Sequence, residues 1–271
     1  MDWKTLQETW RKGENYDGNQ SRELWNQRAE HFQQQELPAL ETNAFLRLMA
    51  ERSPLTKETT VLDIGCGTGA YSLALAPQIK QAVGCDVSDR MIALARETAK
   101  SLGRENTSFL CVDWETADLD QLGFRRKFDL VFAHMTPAVN SFRSLDQMAA
   151  CAKRHCFLKK PTRRRDLLLD QTMELLGLRT KGQDADESME YLFSYLWHKG
   201  FEPQFSYERV AWQERKTVNE AMAWSLGWAN MQRKITEDDQ LALRSFLEAS
   251  AENGTLLEQV TATNVTVDWA V

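Results

Sequence analysis

The chain has 271 residues, of which 42% are hydrophobic and 27% charged, and a formal net charge of -6. This balance excludes a disordered chain and predicts a packed core, while the negative total argues against broad binding to phosphate backbones, so nucleic acid is not the expected partner. The five cysteines, Cys66, Cys85, Cys111, Cys151 and Cys156, form no CxxC pair and read as buried thiols of a reducing compartment. With no apolar stretch for a leader or a membrane span, the expected location is the cytoplasm, with no membrane partner.

Residues 1–55 are polar, with apolar positions at near-helical spacing (Leu24, Trp25, Ala29 and Phe32, then Leu40, Phe45, Leu46 and Met49), and predict an N-terminal helical cover. After Pro54 the texture changes. Short β-branched runs at 59–65, 81–87, 107–113 and 128–135 alternate with helical patterns, as βαβ units of a parallel sheet require. A fifth strand, "RHCFLKK" at 154–160, is expected to end at Pro161, with helical segments around 165–178 and 185–199 behind it. Two alternating runs, at 203–212 and at the C-terminus, are expected to pair antiparallel at the sheet's end, with a helix pair at 217–252 inserted between them. The expected fold class is α/β: a doubly wound, mostly parallel seven-stranded sheet with helices on both faces, in a domain spanning 56–271.

The sharpest local signal is "VLDIGCGTGAYSLALA", in which a strand runs through Gly65, Gly67 and Gly69 into a helix. Such a turn brings backbone N–H groups close to a ligand at the sheet's carboxyl edge. Read literally, Gly65 to Ala70 also satisfies the GxGxxG/A pattern of NAD-dependent oxidoreductases. Asp63 argues otherwise, because a carboxylate there repels a pyrophosphate and attracts an amino group.

"DIGCGTG" resembles the first motif of the class I S-adenosylmethionine-dependent methyltransferases: an acid, any residue, then Gly-x-Gly-x-Gly. The resemblance covers about residues 55–160. It implies that Asp63, Gly65, Cys66, Gly67, Thr68 and Gly69 surround the methionyl end of S-adenosyl-L-methionine. It further implies that Asp86, at the end of the second strand, takes the ribose hydroxyls, with Val87 and Met91 against the adenine. Asp113, beside Trp114 in "CVDWET", is the expected adenine contact, and Ala133 at the fourth strand lines the same pocket. "NYDGNQSRELWNQRAEHF" is similar to the leader that covers the cofactor in small-molecule methyltransferases, which makes Tyr16, Trp25 and Arg28 candidate cover residues.

Methyl transfer from a sulfonium needs alignment and water exclusion rather than a metal, and none is expected. The motif "AHMTPAVNS" is where the family places its substrate-facing loop; His134 is the candidate base, Thr136 and Asn140 candidate substrate residues, and Pro137 a stiffener. The helix pair adds Trp224 and Trp228 as candidate substrate contacts. The cluster Lys159, Lys160, Arg163, Arg164 and Arg165 is a solvated loop, a set of charges that balances neighbouring acids, or a site for an acidic group. The reading is methyl transfer to a small molecule, acidic or aromatic, yielding S-adenosyl-L-homocysteine. An RNA methyltransferase using "KKPTRRR" and a non-catalytic cofactor-binding protein of the same fold are the alternatives.

Overall fold

The computed structural model describes residues 5, 8, 10, 17–33 and 36–271, apart from the side chains of Gln33, Lys181 and Asp184. Helix α1 (Gly18–Gln33) and helix α2 (Ala44–Arg52) precede the first strand. The parallel half comprises β1 (Thr60–Ile64), α3 (Ala70–Leu75), β2 (Gln81–Asp86), α4 (Asp89–Ser101), β3 (Thr107–Cys111) and β4 (Phe128–His134). Helix α5 (Phe142–Cys151) leads into β5 (Ala152–Asp166), α6 (Leu167–Leu175) and α7 (Lys181–His198). The chain closes with β6 (Gln204–Thr217), α8 (Val218–Asn230), α9 (Glu237–Ser250) and β7 (Thr255–Ala270).

The seven strands lie in the order β3-β2-β1-β4-β5-β7-β6, with β7 antiparallel to both of its neighbours. The central strands are apolar on both sides because helices cover both faces. One face packs Phe132 and Phe157 against Phe45, Leu46 and Met49 of α2, all essentially without solvent exposure. The other packs Leu62, Val131 and Trp269 against Leu145 and Met148 of α5 and Leu196 of α7. Thus α2, expected as part of a cover, belongs to the main core, and α1 is the N-terminal helix that lies against α4 at the ligand edge.

The fifth strand corrects an expectation. It does not stop at Pro161 but runs on to Asp166, paired with β7 across an irregularity between Thr162 and Arg165. Pro161 is tolerated there because β4 has already ended: the last β4–β5 pair is His134 with Lys159, so the strand has become an edge on that side. The ends of β5, β7 and β6 therefore project beyond the parallel strands as a three-stranded antiparallel extension.

On this extension sits a second core. Leu168, Leu169 and Met173 of α6 pack with Ala221 and Met222 of α8 and with Leu243 and Leu247 of α9. The cap is thus larger than the expected 217–252 insertion, because α6 supplies a third wall. Sequence sets where its helices begin: Thr217 with Glu220 and Thr236 with Asp239 each form a capping box at the N-terminus of α8 and α9.

Candidate active site

A cavity of about 690 Å³ opens between the carboxyl edge of the parallel strands, α1 and the cap. Its floor is the glycine turn after β1. Gly65, Gly67 and Gly69 have φ of 67°, 54° and 79°, a left-handed backbone that glycine adopts without steric cost. The N–H groups of Gly65 and Cys66 both donate to the Cys85 carbonyl, at 2.8 and 3.0 Å. A Cβ on Gly65 would stand 2.0 Å from the Thr136 hydroxyl, so this glycine is required by contact as well as by φ. Above Gly67, by contrast, the nearest atom to such a Cβ is the Met91 sulfur at 4.0 Å, and a ligand can approach the backbone closely.

Asp86 ties this turn to β2. One carboxylate oxygen accepts from the Gly67 N–H and the other from the Ser88 N–H, each at 2.9 Å. Both oxygens keep a lone pair for a ligand's hydroxyls. Burial pushes the Asp86 carboxyl above its ordinary range, opposed by those N–H bonds. Ser88 in turn caps α4 and donates to Asn26 of α1 at 2.6 Å, and Arg22 donates to the Val87 carbonyl at 3.1 Å. Helix α1 is thereby clamped over the end of β2, with Trp25 and Phe32 facing the cavity.

Asp113 lies past the end of β3 and accepts from the Glu115 N–H at 3.1 Å. Trp114 also lines the cavity, and it is buried and donates to the Ser144 carbonyl at 3.0 Å. Cys66, Thr68, Val87, Met91, His134, Thr136, Asn140 and Trp228 all face the same cavity.

Several expected contacts lie elsewhere. Asp63 is fully enclosed beneath the turn, where the Ser72 hydroxyl donates to it at 2.8 Å. Burial, reinforced by Asp86, raises its carboxyl to about 7. Ala133 points into the main core, because the residue preceding His134 alternates away from the ligand edge. Gly69 starts α3 against the Phe109 ring rather than lining the cavity. Arg28 and Trp224 stand behind the wall, the guanidinium 4.1 Å over the indole ring, and join α1 to the cap. Trp224 also meets Trp228 edge to face at 5.5 Å. Tyr16 lies outside the described residues.

His134 faces the cavity between aromatic neighbours, its ring 4.0 Å from that of Tyr71 and 4.9 Å from that of Phe45. Burial, and secondarily Lys159, pushes it down to about 3, and its Nε2 is enclosed without a hydrogen-bond partner. A group so far below neutrality is a poor proton acceptor.

The basic cluster does not form a loop at the cavity. Lys159 is buried and donates to Glu208 at 2.7 Å; Lys160 donates to Asn140 at 2.8 Å and to Ser188 at 3.3 Å; Arg164 pairs with Asp166 at 2.8 Å. Among the described residues no lysine or arginine lines the cavity, whose carboxyl side chains are Asp17, Asp86 and Asp113. The described lining gives the expected acidic acceptor no cationic partner, since an anion there would meet carboxyl groups.

Sequence reasoning passed over Tyr71, Met135 and Gln232, which face the cavity together with Met231 at the end of the helix that carries Trp224 and Trp228. Met135 was out of reach, because its left-handed φ of 52° follows from the bend that carries the chain out of β4.

The glycine turn lies between two carboxyl groups, Asp86 in the lining and Asp63 enclosed beneath it, a setting that favours a cationic ligand over an anionic one. Comparisons with known proteins agree. Residues 55–165 match the family model of a methyltransferase domain. A 23S rRNA (uracil(1939)-C(5))-methyltransferase of Marinomonas is 38% identical over 58 residues, covering 21% of this chain and 13% of that one. Nodulation protein S of Sinorhizobium fredii is 32% identical over 100 residues, covering 34% and 42% respectively. The chain thus spans less than half the length of these curated relatives. Among solved structures, a candidate methyltransferase of Bacillus halodurans superposes with a TM-score of 0.54 at 15% identity over 84% of this chain and 98% of that one. The YcgJ protein of Bacillus subtilis gives 0.52 at 18% identity, over 82% and 96%. Residues 55–165 therefore match a methyltransferase domain, within a chain whose fold superposes on these structures.

Proposed function

We propose that this chain transfers a methyl group from S-adenosylmethionine to a small molecule held under the cap. The observation that carries the reading is the convergence of three strand ends on one cavity: the glycine turn after β1, Asp86 after β2 and Asp113 after β3, facing Met135, Trp228 and Met231. The first three would hold the methionyl, ribose and adenine parts in that order, each over its own strand. When bound, the cofactor supplies an electrophilic methyl carbon on a sulfonium, so that the acceptor's lone pair forms the new bond as the carbon–sulfur bond breaks.

The protein's part is arrangement. Asp86 fixes the nucleoside, and the Asp63 and Asp86 carboxylates give the turn a negative field that suits an ammonium and a sulfonium. Helix α1 and the cap keep water from the cavity, with Arg28 on Trp224 joining the two covers. Because the His134 imidazole is enclosed and held well below neutrality, the acceptor atom has to be nucleophilic without help from it.

The test is incubation of the protein with S-adenosylmethionine carrying a labelled methyl group, against extracted small metabolites and, separately, total RNA. Label entering a small molecule supports the proposal. Label entering only RNA favours the second reading, to which the rRNA-methyltransferase relative points. Cofactor binding with no label transferred to either leaves a non-catalytic binding protein.

A further inference from the structure

On the far side of the cavity from Asp86 and Asp113, the loop after β4 and the tip of α8 form a second wall of Met135, Pro137, Asn140, Trp228, Met231 and Gln232. None of these side chains is ionisable. Asn140 carries information beyond its identity, because the direction of its amide is set by its neighbours. Lys160 Nζ and Ser188 Oγ both donate to Asn140 Oδ1, each at 2.8 Å. An ammonium has only donors, so the oxygen must be the atom turned toward it. Lys160 and Ser188 are themselves buried behind the wall, on β5 and α7. With Oδ1 held from behind and Asn140 in the cavity lining, Nδ2 is the hydrogen-bond donor this side chain has left to offer a ligand.

We infer that Asn140 selects the acceptor, holding through its Nδ2 group an uncharged oxygen, a carbonyl or a hydroxyl, on a flat apolar body that lies between Met135, Trp228 and Met231. This rests on the reading of the cavity as a methyltransferase site and adds the chemical class of its substrate. An anion is disfavoured by the three carboxylates and by the absence of a described lysine or arginine in the lining. An ammonium directed at Asn140 would put donor against donor, so the selected group is neutral. Lys160 acts through Asn140 and is a positioning residue: it cannot reach the ligand's oxygen except by way of the amide it orients.

The probes are 2-acetylnaphthalene, the matching 2-naphthoate and a naphthylmethylammonium, titrated against the full chain saturated with S-adenosylhomocysteine. The neutral ketone should bind most tightly, and Asn140→Asp, which keeps a partner for Lys160 but turns no donor to the cavity, should weaken it about ten-fold, as expected for one hydrogen bond exchanged for an unsatisfied contact. Lys160→Met should weaken ketone binding in the same direction by freeing the amide to turn. Tighter binding of naphthoate or of the ammonium, no binding of the ketone, or ketone affinity indifferent to Asn140→Asp would each overturn the inference. Failure of the wild-type chain to bind S-adenosylhomocysteine in the first step would instead overturn the reading on which it rests.

Discussion

The parallel half and the antiparallel extension of one sheet handle their ligands by different means. In the parallel half the strands are five to seven residues long, and the cavity is lined at their ends, where we propose that each strand serves one part of the cofactor. In the extension the strands run to 14–16 residues, and the cavity is touched only by what they carry, the tip of α8. The first arrangement ties function to backbone geometry, which tolerates little change. The second ties it to side chains on a separately packed cap, which can change without disturbing the first.

The sharpest way to break this contrast is to damage the backbone-bound half. Gly65→Ala should cost about 2–4 kcal/mol of stability, from a left-handed alanine and overpacking against Thr136, read as a lowered melting temperature. Asp86→Ala should weaken S-adenosylhomocysteine about 100-fold by calorimetry, since hydrogen bonds to a charged group are worth about 1.5–3 kcal/mol. Trp228→Ala should raise the acceptor's KM about ten-fold while cofactor affinity moves much less, on the scale of a partly buried aromatic contact. If Trp228→Ala weakens the cofactor as strongly as Asp86→Ala, the two halves are not separable.

A pH titration sharpens the same comparison. Asp63 rises to about 7, so its contribution to stability of the unliganded fold is present at acid pH and is lost as pH rises through about 7. A bound cation favours the ionised form, so cofactor affinity should increase between pH 6 and 8, by at most about ten-fold per pH unit. Asp63→Asn should flatten that dependence, and a slope unchanged by the variant would place its origin elsewhere. The smallest effect is expected at the seam: Arg28→Gln, which removes the contact with Trp224, should lower stability by about 0.5–2 kcal/mol.

The same contrast governs what was legible in the amino-acid sequence. The glycine turn, Asp86 and Asp113 were legible because their roles belong to chain positions at strand ends, where spacing alone locates them. Asp63 was legible as an acid beside the turn, but its enclosure with Ser72 depends on α3 folding back over β1. The basic run of β5 was legible as charge that neighbouring acids balance, but which acids, Glu208 for Lys159 and Asp166 for Arg164, and that both cations lie along one long strand, depend on the tertiary fold. Arg28 and Trp224, 196 positions apart, meet only because the extension carries α8 back to α1. Asn140 was legible as a polar residue in the substrate loop, whereas the direction of its amide depends on Lys160 and Ser188, which only the tertiary fold brings together.

The central claim, that the three strand ends form a site for a sulfur nucleoside, is tested most directly by calorimetric titration of the purified chain with S-adenosylmethionine, S-adenosylhomocysteine and NAD. Binding of both sulfur nucleosides with no heat from NAD is the expected result. Binding of NAD alone, or of none of the three by folded protein, would contradict it.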